Sequence, residues 1–128
     1  AEGRMNSESE PLFVQVARFV EDLIVDGSLQ PGAQAPSTNQ LAQFHEINPA
    51  TARKGLSLLV DADVLHKRRG LGMFVNEGAR ERIIQLRRDV FAGEFIAPLI
   101  DEAVRLGYSR TDLHDLIDRV AESRGMYQ

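Results

Sequence analysis

The sequence predicts a mainly α-helical fold with one small β-hairpin, and three patterns lead to this prediction. Apolar residues recur at three- and four-residue intervals over most of the chain, which is the spacing of amphipathic helices. Two of these helical patterns are separated only by a short break at Glu46–Asn48. Two short apolar runs then flank the glycines Gly70 and Gly72, which is typical of a β-hairpin.

The first helical pattern begins at Pro11 and ends at Gly27. Its apolar side chains share one face and its polar side chains the other, so we expect a helix that packs against the two helices after it. The apolar positions are Phe13, Val16, Ala17, Val20, Leu23 and Ile24. A connector follows, in which Pro31 and Gly32 suit a type II turn.

The next two helices form a predicted helix-turn-helix. Ser37 can cap the first of them while Gln40, three residues later, reaches back as in a capping box. The second is predicted to start at Pro49, because Asn48 is a favourable N-cap and proline has the φ of a first helical position. In this plan the start of the second helix contacts base edges in the DNA major groove, and the hairpin adds a wing.

Positive charge is concentrated in this part of the chain. The formal net charge is −4, whereas Pro49–Val75 has five Lys or Arg against two Asp, a local +3. Adjacent arginines beside a glycine at a hairpin tip can reach phosphates or the minor groove. The predicted DNA-binding residues are Ser37, Thr38, Asn39, Asn48, Ala50, Thr51, Arg53, Lys54, Lys67, Arg68, Arg69 and Gly70.

These residues resemble a known family, the GntR-type bacterial transcription regulators, and their short YtrA-like branch in particular. The matching blocks are Leu29–Gly32, Pro36-Ser37, Leu41-Ala42, Asn48–Arg53, Leu56 with Leu58-Leu59, and Gly70–Val75. The resemblance covers Pro11–Val75 and extends weakly, through the length of the chain and its helical tail, to the C-terminus. It implies a sequence-specific regulator of transcription that binds double-stranded DNA, with Arg53 and Arg69 at family contact positions. A repressor that occludes RNA polymerase is the expected form.

The chain departs from the family pattern at Asn39 and Pro49, where many members have arginine. Two customary DNA contacts are therefore missing or replaced, which keeps a second function open, a winged-helix protein-interaction module without DNA binding. The local +3 on an otherwise acidic chain favours the DNA-binding function. Because operons of YtrA-like regulators often carry transporter genes, the resemblance implies a transport- or envelope-related operon. The operator sequence and any small-molecule effector stay open.

The tail after the hairpin has two predicted helical stretches. From Ala79 to Leu106 the apolar residues are more numerous than one surface helix needs. Pro98 lacks a backbone donor and clashes with the preceding turn, which predicts a kink or a split between Ala92 and Pro98. We expect two helices here, with Gly93 near the joint. A last helix is predicted to start at Ser109.

We expect the tail to be a dimerisation region, with residues 11–75 forming the DNA-binding domain and residues 76–128 the dimerisation region. Its apolar face is too wide to be buried against one small domain, and a second copy of the chain is the commonest partner. A homodimer also matches a pseudo-palindromic operator. The alternative is a tail that completes the core of a monomer. The predicted dimerisation residues are Ile83, Ile84, Val90, Phe91, Phe95, Ile96, Leu99 and Ile100.

The sequence offers no pattern for catalysis, metal binding or membrane insertion. His45, His66 and His114 fall in different predicted elements and lack the spacing of metal ligands. No phosphate-binding loop or catalytic triad can be identified, so we expect neither an enzyme nor a cofactor. The absence of cysteine fits a reducing compartment, and the start of the chain lacks the regions of a signal peptide. The cytoplasm is the expected location.

Overall fold

The computed structural model describes residues 10–128 and divides them into two compact units, one ending at Leu86 and the other comprising Arg87–Gln128. The predicted fold class is confirmed, because these residues are mostly helical and contain one antiparallel hairpin of two strands. The elements in chain order are α1 (Leu12–Val25), α2 (Thr38–His45), α3 (Pro49–Asp61), β1 (Leu65–Arg68), β2 (Gly72–Val75), α4 (Ala79–Phe91), a π-helical turn (Ala92–Ile96), α5 (Ala97–Arg105) and α6 (Arg110–Ser123).

The core of the first unit lies between α1 and α3. Val16, Val20 and Ile24 of α1 are buried, and so are Leu56 and Leu59 of α3. The two helices approach each other at Gly55, where an added Cβ would lie 2.7 Å from the carbonyl oxygen of Phe13 and from Cβ of Val16. Only a glycine permits this close approach of the helix backbones, although glycine is otherwise unfavourable within a helix.

The predicted N-terminal starts of α2 and α3 are confirmed. Ser37 accepts a hydrogen bond from the backbone N–H of Gln40, whose side chain accepts from the backbone N–H of Ser37, so the capping box is complete. α2 ends at His45, and the residue that follows, Glu46, has a left-handed φ of 58° that turns the chain sharply. Asn48 then caps α3 by accepting from the N–H of Ala50, and Pro49 occupies the first helical position.

The hairpin pairs with the connector that precedes α2. β1 and β2 pair from Leu65 with Val75 to Arg68 with Gly72. The predicted type II turn is present, since the N–H of Ala33 donates to the Gln30 carbonyl and Gly32 has a φ of 84°. Residues 32–35 then run beside β2 and bond to its backbone, so the connector behaves as a short third strand.

The start of α4 belongs to the first unit. Ala79 and Ile83 are each 1% exposed and lie in its core, and the guanidinium Nε of Arg80 donates to the carbonyl of Val25 at the end of α1, 2.9 Å away. The assignment of Ile83 to dimerisation is therefore wrong for this structure. Its periodicity marked it as buried, but the surface that buries it is this chain's own core.

The second unit contains the predicted interruption near Gly93. α4 ends at Phe91, a π-helical turn follows, and α5 begins at Ala97. The residues flanking the turn, Phe91 and Ala97, keep right-handed helical angles, so the interruption is a change of helical pitch rather than a break. The cause is Pro98, which can neither donate to the carbonyl of residue 94 nor avoid its oxygen in a regular α-helix. Ser109 caps α6 by accepting from the N–H of Asp112, as predicted.

The second unit buries very little of its apolar surface. Within Arg87–Gln128, all of which the structure describes, Ala103 alone is buried. Large apolar side chains are exposed along the π-helical turn and α5, and Phe95 is 60% exposed. The rings of Phe91 and Phe95 lie side by side, with centroids 5.6 Å apart. No helix between residues 10 and 128 is long and apolar enough to cross a membrane.

We predict that Gly55→Ala strongly destabilises the first unit. The new methyl group would overlap a backbone oxygen and Cβ of α1, neither of which can move without separating the helices. Overpacking of this kind costs about 1–3 kcal/mol in free energy of unfolding. Urea denaturation would measure it, with Ser57→Ala on the exposed face of α3 as the control, expected within about 0.5 kcal/mol of the unmodified chain. Equal stability of the two variants would contradict the prediction.

Candidate DNA interface

The starts of α2 and α3 present most of the predicted DNA-binding residues. Ser37 and Asn48 are the N-caps, and their oxygens already bond within their own helices. The first two turns that follow contain Thr38, Asn39, Ala50, Thr51, Arg53 and Lys54. A helix start has unbonded backbone N–H groups and a partial positive charge, both of which suit a phosphate.

A cleft of about 330 Å³ separates the start of α2 from the hairpin. Ser37, Thr38 and Asn39 line one side of it. Arg53 of α3 and Gly72, the first residue of β2, also line it. The cleft therefore brings together both helices of the helix-turn-helix and the turn end of β2, which lie far apart in sequence.

Five basic side chains form what we call the basic surface: Arg53, Lys54, Lys67, Arg68 and Arg69. All five are exposed, and none takes part in an ion pair within residues 10–128. Their charge is thus not neutralised within this part of the chain. An anionic ligand would meet a local excess of positive charge.

Two of these cations lie on aromatic rings. Nζ of Lys54 is 4.0 Å from the ring centroid of Phe13, and Cζ of Arg68 is 4.5 Å from that of Phe74. Contacts of this type favour one position of a long side chain while leaving its charge available. The aromatic partners were not among the predicted site residues, because neither is adjacent in sequence to its cation.

The wing turn presents Arg69 and Gly70. The N–H of Leu71 donates to the carbonyl of Arg68, 3.0 Å away, and Gly70 has a φ of 76°. A left-handed residue at the third position of such a turn is what a type II turn requires. Leu71 is 64% exposed, so an apolar side chain lies beside the arginines at the tip.

The base of the wing is fixed by a hydrogen-bond network. Asn76, directly after β2, donates from Nδ2 to the carbonyl of Asp63, 2.9 Å away. Its Oδ1 therefore accepts from Nδ1 of His66, which assigns the proton of the neutral ring to that nitrogen. Asp63 itself has a left-handed φ of 62°, at the turn from α3 into β1. The network ties the hairpin to the end of α3.

The site has binding chemistry rather than catalytic chemistry. Its groups are guanidinium, ammonium, amide, hydroxyl and backbone N–H donors, which suit phosphate oxygens and base edges. No group of three or more potential metal ligands occurs within the part of the chain that the structure describes. One further residue at the cleft, Gln34, was not predicted, since its contact lies 37 residues away in the sequence.

Comparison with known proteins now identifies the family. The model for "Bacterial regulatory proteins, gntR family" matches residues 12–75, which is half of the chain. The chain belongs to the GntR family. Its match spans all the elements from α1 to the end of β2, and thus the whole of the cleft and the basic surface.

Three relatives illustrate the relationship. The chain is 26% identical to the HTH-type transcriptional repressor YtrA of Bacillus subtilis, covering 88% of this chain and 86% of YtrA. A GntR family transcriptional regulator from Listeria monocytogenes has a TM-score of 0.70 and 25% identity, covering 89% of this chain and 98% of that one. The DNA-binding domain of AraR, in a crystal structure with operator ORX1, has a TM-score of 0.51 and 28% identity, covering 56% of this chain and 86% of that one.

These similarities confirm two predictions. The chain is a GntR-family transcriptional regulator with a DNA-binding winged helix, and the short YtrA-like branch is consistent with its relatives. Its homologues are regulators of transcription rather than enzymes.

We predict that Asn48→Ala lowers the free energy of unfolding by about 1 kcal/mol, because it removes the acceptor for the Ala50 N–H at the start of α3. Asn48→Asp should keep this stability, since a carboxylate accepts the same bond and interacts favourably with the helix start. Urea denaturation of both variants would measure the difference. Equal stability of Asn48→Ala and the unmodified regulator would show that the cap contributes nothing.

Proposed function

We propose that this GntR regulator is a dimeric repressor that binds a pseudo-palindromic operator. The single observation that supports this most is the basic surface, five exposed cations at the start of α3 and on the wing of an otherwise acidic chain. DNA is the polyanion that such a surface fits, because each neutralised phosphate releases bound counterions. Repression is the role stated in the name of YtrA.

Two arginines have distinct proposed roles within this surface. Arg53, one helical turn into α3 and at the cleft, would enter the major groove, where arginine donates to guanine or to a phosphate. Arg69, at the exposed wing turn, would reach the minor groove. The other predicted residues, at the N-termini of α2 and α3 and on β1, would contact the backbone and fix the orientation on the duplex.

The homodimer is proposed from the second unit. Six of the eight residues predicted for dimerisation are exposed apolar side chains of this unit, namely Val90, Phe91, Phe95, Ile96, Leu99 and Ile100. Ile83 is buried and Ile84 half-buried, and both lie in the first unit. In a two-fold dimer the same face of each copy forms the interface, so a single interface buries these residues on both copies. Dimerisation would place two winged helices on half-sites about 34–36 Å apart, one turn of DNA.

The regulated operon is proposed to be transport- or envelope-related, as the YtrA-like resemblance implies. Selection of bound duplexes from a random pool would give the operator sequence directly, and its position upstream of genes would then test this proposal. Failure to select any duplex would favour the protein-interaction module instead.

We predict that Arg53→Ala and Arg69→Ala weaken binding to the selected operator in different ways. Loss of a base contact by Arg53 should cost about 1–3 kcal/mol and relax the preference at one operator position. Loss of Arg69, whose contact in the minor groove can distinguish only A·T from G·C pairs, should weaken binding with little change in base preference and should reduce the salt slope. Fluorescence anisotropy at several salt concentrations would measure both effects.

The matched control for these variants is Arg18→Ala. It removes the same charge from an exposed position of α1, where the guanidinium pairs with Glu10 rather than belonging to the basic surface. We expect it to bind like the unmodified regulator. If Arg53→Ala and Arg69→Ala also bound as tightly, both assigned roles would be wrong.

We predict that Phe95→Ser with Leu99→Ser converts a dimer into a monomer. The two side chains are exposed apolar residues of the proposed interface, whereas Leu106→Ser alters an equally apolar exposed residue outside it and should leave the dimer intact. The monomer should bind the full operator about 10²–10⁴-fold more weakly, because the second half-site contact is no longer intramolecular. Light-scattering mass and operator titration would measure both. A full-length chain that is monomeric at micromolar concentration would contradict the proposed interface.

A further inference from the structure

The connector and the hairpin are joined by backbone pairing that stops short of the wing turn. The N–H of Gly32 donates to the Val75 carbonyl, and the N–H of Ala35 donates to the Met73 carbonyl, each 2.8 Å away. Between Met73 and the turn, β2 has one further residue, Gly72, which forms no backbone bond to residues 32–35 of the connector. The turn that presents Arg69 therefore lies past the end of this backbone attachment.

The side chain of Gln34 extends the attachment into the turn. Its Nε2 donates to the carbonyl of Leu71, 2.8 Å away. Leu71 is the residue whose own N–H closes the turn on Arg68, so the bond holds the last residue of the turn. The contact depends on Gly72, where an added Cβ would lie 2.6 Å from Gln34 Nε2. The φ of Gly72, 126°, is also one that other residues rarely adopt.

We propose that Gln34 is a positioning residue for DNA binding, which fixes the wing turn, and with it Arg69, relative to α3. Gln34 lines the same cleft as Ser37, Asn39 and Arg53, so one short segment contacts the wing turn and leads directly into α2. A wing turn that is held before DNA arrives loses less conformational entropy on binding than a mobile one. This inference rests on the proposed function, since Arg69 must contact DNA for its position to matter.

The test uses Gln34→Met in the full-length regulator. Methionine keeps the length of the side chain and the net charge but cannot donate to Leu71. Gln43→Met, at an exposed position of α2, is the matched control. We expect Gln34→Met to bind the selected operator about tenfold more weakly, the lower end of the loss for one DNA contact, with a smaller salt slope. We expect Gln43→Met to bind normally, and the thermal midpoint of both variants to be unchanged because both side chains are exposed.

A double-mutant cycle with Arg69→Ala separates positioning from a general structural effect. If Gln34 acts through the wing, Gln34→Met should cause no further loss of affinity in the Arg69→Ala background. An equal loss in both backgrounds would overturn the proposal, and so would Gln34→Met binding as tightly as the unmodified regulator.

Amide relaxation of residues 69–71 in the free protein distinguishes failure of this inference from failure of the proposed function. Gln34→Met should lower the order parameters of the wing turn whether or not DNA is bound, and Gln43→Met should not. Unchanged order parameters would overturn the positioning role even if the operator binds. Absence of duplex binding by the unmodified chain would overturn the proposed function and with it the role of Gln34 in DNA binding, while relaxation still decided whether Gln34 holds the turn.

Discussion

The close approach of α1 and α3 at Gly55 is the constraint on which the rest of the first unit depends. Because α3 lies directly against the backbone of α1, its buried face contains Leu56 and Leu59, and Arg53 and Lys54 lie on its exposed side. The same contact places Phe13 under the ammonium of Lys54. A packing requirement in the core thus determines which side chains of α3 face outward, and those are the side chains that bind DNA in the proposed function.

Charge and shape act together in this regulator. The chain has a net charge of −4, and attraction to DNA is expected mainly at the basic surface, where five exposed cations are not neutralised by any acid in the described residues. The regulator thus relies on the placement of a few cations rather than on a high net positive charge. Asn39 and Pro49, which stand where many family members have arginine, reduce the number of cations still further. Recognition therefore depends more on where the remaining side chains are held, and both the aromatic rings and Gln34 serve that purpose.

Local chemistry made much of the fold predictable from the sequence. The capping box at Ser37, the cap at Asn48 and the wing glycines involve residues two to four positions apart, so their geometry follows from residue type. Periodicity identified the buried face of α4 but not its partner, which is why Ile83 was assigned to dimerisation although it lies in the chain's own core. Gly55 and Gln34 could not be interpreted from sequence at all. Their roles come from a carbonyl on another helix and from a carbonyl 37 residues away.

The stability of the second unit is linked to the proposed dimer. A segment of 42 residues that buries one alanine has little of its own hydrophobic stabilisation, since the hydrophobic effect scales with the apolar area removed from water. Its helices nevertheless have strong local signals, including the Ser109 cap, and they leave an exposed apolar surface along the π-helical turn and α5. In the proposed dimer, the missing stabilisation comes from covering that apolar surface. Folding of the second unit and association of two copies would then be one coupled process, and protein concentration would affect the stability of the second unit as well as the occupancy of the operator.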